Sequence, residues 1–145
     1  MTSLRTEVVI RAAERSDVPR IIELAGQLGY TVSAARVGSA IDVADDRALL
    51  VAIDGESVVG WIALARDMAL LGEGDGWIEG LVVAEAHRNH SVGSTLLACA
   101  HEWARKKGCV RMRVRSNVVR DRAHRFYERE GYRRFKTQHN YEYRL

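Results

Sequence analysis

The sequence predicts one α/β domain, residues 1–145, built around a mixed sheet, and three observations carry that expectation. Two segments, beginning near Val18 and Val92, repeat apolar residues at helical spacing, while shorter runs at 48–53, 58–66 and 110–114 have strand length and strand patterning. Helical and strand segments are interleaved along the chain rather than gathered into blocks. The length of 145 residues, 47% of them hydrophobic, suits a single core that needs no metal or disulfide to hold it.

Taken in order, Val8–Ala12 reads as a first strand. Ser16 or Asp17 then offers an N-cap and Pro19 is tolerated in a first helical turn. Val18, Ile21, Ile22, Ala25 and Leu28 fall on one face of that helix, and Gly29 ends it. A weaker helix is expected over 33–43. Strands 48–53 and 58–66 flank Asp54-Gly55-Glu56-Ser57, where Gly55 accepts the positive φ of a hairpin turn. Residues 67–76 read as a loop and 77–84 as a strand. A second strong helix starts near Val92, with Val92, Leu96, Cys99, Ala100 and Trp103 on one side, basic residues 105–107 at its C-terminus and Gly108 closing it. Val110, Met112 and Val114 alternate with Arg111, Arg113 and Arg115 in a half-buried strand. A short helix over 120–130 and two final strands, 132–136 and 141–145, complete the order β-α-α-β-β-β-α-β-α-β-β.

Composition excludes several classes. No apolar run approaches the ~20 residues of a membrane helix, and the first residues lack the apolar core of a signal peptide. Cys99 and Cys109 are too few for a disulfide framework or a zinc site, so a reduced, cytoplasmic setting is expected. The net charge of +3 conceals an asymmetry: −5 over residues 1–75 and +8 over 76–145. An excess of that kind suggests an anionic partner for the C-terminal half. No helix-turn-helix, zinc finger or aromatic RNA-binding signature accompanies the basic stretch 105–136, which argues against nucleic acid.

The segment richest in chemistry runs from Leu81, Val82 and Val83 through Arg88, Asn89, His90, Ser91, Val92, Gly93 and Ser94. A strand enters a small, polar loop that opens directly into a helix. The exposed N–H groups of a first helical turn, reinforced by the helix dipole, make an anion site. Gly93 allows close backbone approach and Arg88 supplies a charge-assisted hydrogen bond. The pattern is neither a Walker loop nor a Gly-x-Gly-x-x-Gly dinucleotide turn.

Arg88-x-x-Ser91-Val92-Gly93, followed by Leu96-Leu97, resembles the Arg/Gln-x-x-Gly-x-Gly/Ala acetyl-CoA loop of the GNAT superfamily of N-acetyltransferases. Downstream, Ser116-Asn117 and then Ala123, Phe126, Tyr127, Glu128, Gly131 and Tyr132 are similar to the second signature of that superfamily, and the element order agrees from Val8 to Leu145. The resemblance implies a GNAT-like fold: a mixed, mostly antiparallel sheet of about seven strands with about four helices, splayed between strands 4 and 5. It implies acetyl-CoA as cosubstrate and no metal. Leu81–Val83 would hold the pantetheine, Arg88–Ser94 the pyrophosphate, with Asn117 and Arg120 as further contacts. One departure is Ser91, which stands where the family has its first glycine; its Cβ narrows the approach to phosphate, so weakened rather than abolished binding is expected.

Two residues are expected to do chemistry. By the resemblance, Tyr127 is the acid that protonates the departing CoA thiolate; as a plain aromatic it would be a core anchor. Glu79, in the otherwise apolar run Trp77-Ile78-Glu79-Gly80-Leu81, corresponds to a base or amine-binding carboxylate in several such enzymes, and burial there would raise its pKa. Otherwise it is a solvated charge or an arginine partner. His87 and His90 lie in a loop without an acidic or thiol cluster, so a metal is not expected. The function implied is transfer of an acetyl group to a primary amine by direct attack in a ternary complex. The acidic residues Asp42, Asp45, Asp46, Asp67, Glu73 and Asp75 point to a small cationic acceptor. The alternatives are a protein amine, ribosomal-type N-terminal or lysine, suggested by Val114-Arg115-Ser116-Asn117, and a CoA-sensing module without turnover. A homodimer is compatible with each.

Overall fold

The computed structural model describes residues 8–42, 45–88, 91–116 and 118–145. The described residues fall into two compact units, Met1–Arg115 and Ser116–Leu145. In the first, a mixed five-stranded sheet follows chain order: β1 (Val9–Ala12), β2 (Arg47–Asp54), β3 (Ser57–Arg66), β4 (Asp75–Val83) and β5 (Arg111–Val114). The first four strands are antiparallel neighbours, and β5 runs parallel to β4. The β2–β3 hairpin turns at Gly55, whose φ of 64° only glycine adopts without strain.

Helices cover both faces of that sheet. On one side lie α1 (Val18–Gln27) and α2 (Ala34–Ile41). Pro19 opens α1, and the Ser33 hydroxyl caps α2 by accepting from the Arg36 N–H at 3.1 Å. The Trp61 indole N–H donates to the Ile21 carbonyl at 3.2 Å, tying α1 to β3. On the other side α3 (Val92–Lys106) places Val92, Leu96, Leu97 and Ala100 out of contact with water, against Ile62 and Leu64 of β3. Each such leucine or isoleucine contributes about 1.5–3 kcal/mol by leaving water. Gly60 permits the close approach: a Cβ there would lie 3.0 Å from the Val82 carbonyl and 3.2 Å from Leu96 and Val92.

The second unit holds α4 (Asp121–Arg129) and an extended tail. The two final strands expected at 132–136 and 141–145 are absent: among the described residues the sheet has five strands rather than seven. Tyr141 and Tyr143 are 91% and 87% exposed. Their alternation gives the segment the capacity to form a strand, but a strand exists only where another edge completes its hydrogen bonds, and no ladder reaches these residues.

Candidate active site

The site grows out of an irregularity in β4. Ala63 pairs with Gly80 and Leu64 with Ile78, so Glu79 is an extra residue with no partner on β3. Such a bulge bends the strand and re-aims its side chains. Gly80 is required beneath it, because a Cβ would meet the Trp61 ring at 2.9 Å. On its other edge β4 pairs with β5 only from Asp75 to Ile78. From Glu79 to Val83 no strand pairs with that edge among the described residues, because β5 ends at Val114 opposite Ile78.

The bare edge leads into a loop and then α3. Arg88 follows a single 3-10 turn over Glu85–His87, and its Nε reaches toward the Val83 carbonyl at 3.4 Å. One terminal nitrogen of its guanidinium is buried with no hydrogen-bond partner. A buried cation with an unmet donor is costly and fits an absent anion. Ser91 is the N-cap of α3, in the left-handed region at φ 66° and ψ 9°, and its side chain makes no capping bond. Its carbonyl instead accepts from the Thr95 N–H at 3.0 Å and the Thr95 hydroxyl at 2.8 Å. The helix therefore starts without a side-chain cap, leaving the anion-binding end of its dipole accessible. Val92 is buried in the core, and Gly93 and Ser94 complete the first turn. His87 lies 3.3 Å from Asp54, a histidine–carboxylate contact; no group of three or more potential metal ligands occurs among the described residues. The expected contacts Asn89, His90 and Asn117 lie outside the described residues.

Of the two settings expected for Glu79, the structure gives the exposed one beside an arginine. The bulge turns it outward, its side chain is 43% exposed, and its carboxylate stands 4.0 Å from the Arg47 guanidinium. An apolar run normally predicts a buried carboxylate; here the extra residue breaks the alternation on which that inference rests. In the second unit Tyr127 lies on α4, its ring 5.2 Å from that of Phe126 and 5.5 Å from that of Tyr132. Burial pushes its phenol up to about 12, so it is fully protonated at neutral pH. Burial also raises Tyr132, with smaller contributions from Tyr127 and Glu130. Arg120 is the exposed N-cap of α4, its carbonyl accepting from the His124 N–H at 3.1 Å.

The acidic character of the N-terminal half is largely internal. Asp42 pairs with Arg15, Asp46 with Arg66 at 2.6 Å, and Glu73 with Arg111 at 2.6 Å. Asp75 is buried between Arg111 and Arg113, and Asp67 caps the turn at Ala69. Two arginines that the sequence did not mark stand beside the bulge. Arg47 faces Glu79, and the guanidinium of Arg115 lies 3.9 Å over the Trp77 ring. Matching the alternation of Arg111, Arg113 and Arg115 to that of Asp75, Trp77 and Glu79 would have found the second; Arg47 has no local signal.

The family model for the acetyltransferase (GNAT) family matches residues 12–132, across both units. The chain belongs to the GNAT acetyltransferase family. A curated relative, the aminoalkylphosphonate N-acetyltransferase of Salmonella typhimurium, is 40% identical over 87 residues, covering 57% of this chain. The chain covers 54% of that protein, about half its length. Among solved structures, the aminoglycoside N-acetyltransferase AAC(6')-Iy with a bisubstrate analogue superimposes with a TM-score of 0.83 at 20% identity, covering 96% of this chain and 99% of that one. A transcriptional regulator from Bacillus halodurans gives 0.81 at 25% identity, covering 94% and 100%. The aminoglycoside 6'-N-acetyltransferase of Acinetobacter haemolyticus gives 0.82 at 16%, covering 94% and 99%. These similarities at low identity establish that the GNAT fold extends over the chain.

Proposed function

We propose that this GNAT protein transfers the acetyl group of acetyl-CoA to a small primary amine by direct attack within a ternary complex. The observation that carries the reading is the bare edge of Glu79–Val83 running through Arg88 into the uncapped start of α3. In this reading the backbone of Leu81–Val83 bonds the pantetheine amides as an added strand would. Arg88–Ser94 receives the pyrophosphate on helix N–H groups and the unmet guanidinium donor, with Asn117 and Arg120 as further contacts. A backbone N–H near Val83 polarises the thioester carbonyl.

As the amine nitrogen bonds to the acetyl carbon and the carbon–sulfur bond breaks, Glu79 takes the amine proton through a water, a route its exposure supports. Tyr127 donates its proton to the sulfur. A phenol near 12 stays neutral and keeps its proton until negative charge develops on sulfur, which suits donation late in the reaction. Gathering both substrates on one strand edge supplies much of the rate through orientation.

The relatives bracket the acceptor: one is named for aminoalkylphosphonates and others for aminoglycosides, small amines of opposite charge. The small cationic acceptor drew its support from an acidic N-terminal half whose carboxylates are mostly engaged by arginines, so it loses most of that support. The experiment is free-thiol release from acetyl-CoA across an amine panel, beside thermal melts with acetyl-CoA and desulfo-CoA. Both cofactors raise Tm, and at least one amine releases thiol. A cofactor shift with no turnover on any amine would instead indicate a sensing module, and no shift at millimolar ligand would remove the cofactor site.

A further inference from the structure

The face of the sheet beside the bulge carries more positive charge than cofactor binding requires. Register aligns Arg47 of β2, Ala65 of β3, Trp77 of β4 and Arg113 of β5 in one row across four strands. Paired residues point their side chains to the same face, so this row shares one surface. Ala65, between Arg47 and Trp77 in this row, is small, as is Ala63 two positions before it on β3. Arg113 is held on buried Asp75 at 3.2 Å. Among the described residues neither Arg47 nor Arg115 has a carboxylate contact at hydrogen-bond distance: Arg47 stands 4.0 Å from Glu79, and Arg115 rests on the Trp77 ring.

Both guanidinium groups therefore gather over the same short stretch of β4. Arg115 lies over the Trp77 ring, and Arg47 stands 4.0 Å from the Glu79 carboxylate two positions further along the same strand. Glu79 supplies a carboxylate at the bulge. The resulting pattern is a negative group able to receive an ammonium, with one planar cation beside it and a second over the neighbouring Trp77, both suited to a tetrahedral or planar oxyanion. A polycation would meet Arg47 and Arg115 first and gain only Glu79 in return.

We propose that the acceptor is a short aminoalkyl acid, with its amine at Glu79 and its anionic group, phosphonate or phosphate in preference to carboxylate, on Arg47 and Arg115. This rests on the acetyl-transfer reading and deepens it, choosing between the two charge classes the relatives bracket. A linker of two or three carbons suits an amine at Glu79 and an anionic group on Arg47, whose guanidinium stands 4.0 Å from that carboxylate. A phosphonate has three oxygens to share between two arginines, whereas a carboxylate has two. Arg47 and Arg115 are then specificity-determining residues, and the stacking of Arg115 on Trp77 orients its planar fork before the ligand arrives.

The experiment measures kcat/KM for 2-aminoethylphosphonate, O-phosphoethanolamine and β-alanine against propylamine and 1,3-diaminopropane. The expected result is a preference of at least about tenfold for the phosphorus acids over propylamine, the scale of one charge-assisted hydrogen bond. Arg47→Ala and Arg115→Ala each reduce that ratio toward one, chiefly through KM, and Arg115→Lys restores part of it. Arg47 is largely exposed, so its variant keeps the wild-type Tm and separates recognition from folding. Turnover with equal or greater preference for 1,3-diaminopropane overturns this inference and leaves acetyl transfer standing. No thiol release from any amine, with no binding of 2-aminoethylphosphonate to the CoA-loaded protein by calorimetry, overturns both.

Discussion

Arginine plays opposite parts at two regions of this molecule. At the ends of β1 and β5 it closes on buried carboxylates. Arg11 donates two hydrogen bonds to Asp17, at 2.7 and 3.0 Å, and Arg111 and Arg113 converge on Asp75, which is 2% exposed. Around the bulge of β4 and the start of α3, Arg88, Arg47 and Arg115 have a carbonyl, a loosely placed carboxylate and an aromatic ring instead. In the first region each charge is answered inside the fold, so its removal is felt as stability. In the second the charges are answered incompletely, so their removal is felt when an anion binds.

The largest expected effect lies in the first region. Asp17 accepts from Arg11 and also from the Glu14 N–H at 2.7 Å, closing the single turn before α1. Asp17→Ala leaves a buried donor and a guanidinium unanswered and lowers stability by about 2–4 kcal/mol. Acetyl-CoA affinity of the folded protein is unchanged. Equilibrium urea unfolding measures the first and calorimetry the second, and a matching loss of affinity would erase the distinction between the regions. The same pair gives a pH dependence. The Arg11 hydrogen bonds hold the Asp17 carboxyl below its ordinary value, so its stabilisation is complete above that value of 3.8 and is lost as pH falls through the lower folded value. Unfolding midpoints followed from pH 6 to pH 2 decline less steeply in Asp17→Asn than in the wild type.

The second expected effect belongs to the other region and has the opposite signature. Arg88→Ala removes a guanidinium whose buried nitrogen is unmatched in the free protein, so the apo melting temperature holds or rises. Acetyl-CoA affinity falls by about 1.5–3 kcal/mol, the scale of a charge-assisted hydrogen bond. Calorimetry and thermal melts decide the matter together: a large drop in apo stability would move Arg88 into the first class. Ordered below it is Tyr127→Phe, which keeps the ring and changes stability by no more than ~1 kcal/mol. Turnover falls toward the lower end of the 10²–10⁴ range of general acid catalysis, because a phenol near 12 is a weak acid. Steady-state kinetics beside a melt of both proteins checks it, and wild-type turnover would return Tyr127 to a packing role.

Local chemistry made one of these regions legible and non-local pairing obscured the other. The hairpin at Gly55 and the Val92, Leu96 and Ala100 stripe of α3 are written in nearby residues, and each formed as expected. The loop proposed to hold the cofactor's phosphates was equally legible, since a strand, Arg88 and a helix start are consecutive. Segments 132–136 and 141–145 have strand patterning, but pairing depends on an edge supplied from elsewhere, and none meets them. Asp75 read as a loop residue because nothing nearby announces Arg111 and Arg113, some 36 positions away. Glu79 stayed open between a buried and a solvated setting because a bulge is a mismatch between two strands, invisible in either one alone. Arg47 escaped notice for the same reason: its importance comes from the row it joins.

The smallest expected effect tests the second region at its most strained point. Ser91 is the non-glycine residue with positive φ among the described residues, and a Cβ in that conformation costs about 1–2 kcal/mol. Ser91→Gly removes the cost but adds backbone freedom to the unfolded chain, which returns roughly 0.5–1 kcal/mol. The net gain is therefore between about 0 and 1.5 kcal/mol, a rise in Tm of no more than about 6 °C for a domain of this size. The Ser91 side chain makes no capping bond, so helix α3 loses nothing at its start. If the anion is held by backbone N–H groups, removing the Cβ lets phosphate approach more closely, and the Tm increment produced by acetyl-CoA is preserved or enlarged. If the hydroxyl is itself a phosphate ligand, the apo protein still gains stability while the increment shrinks. Melts of both proteins with and without acetyl-CoA separate relief of strain, which belongs to the fold, from recognition, which belongs to the loop.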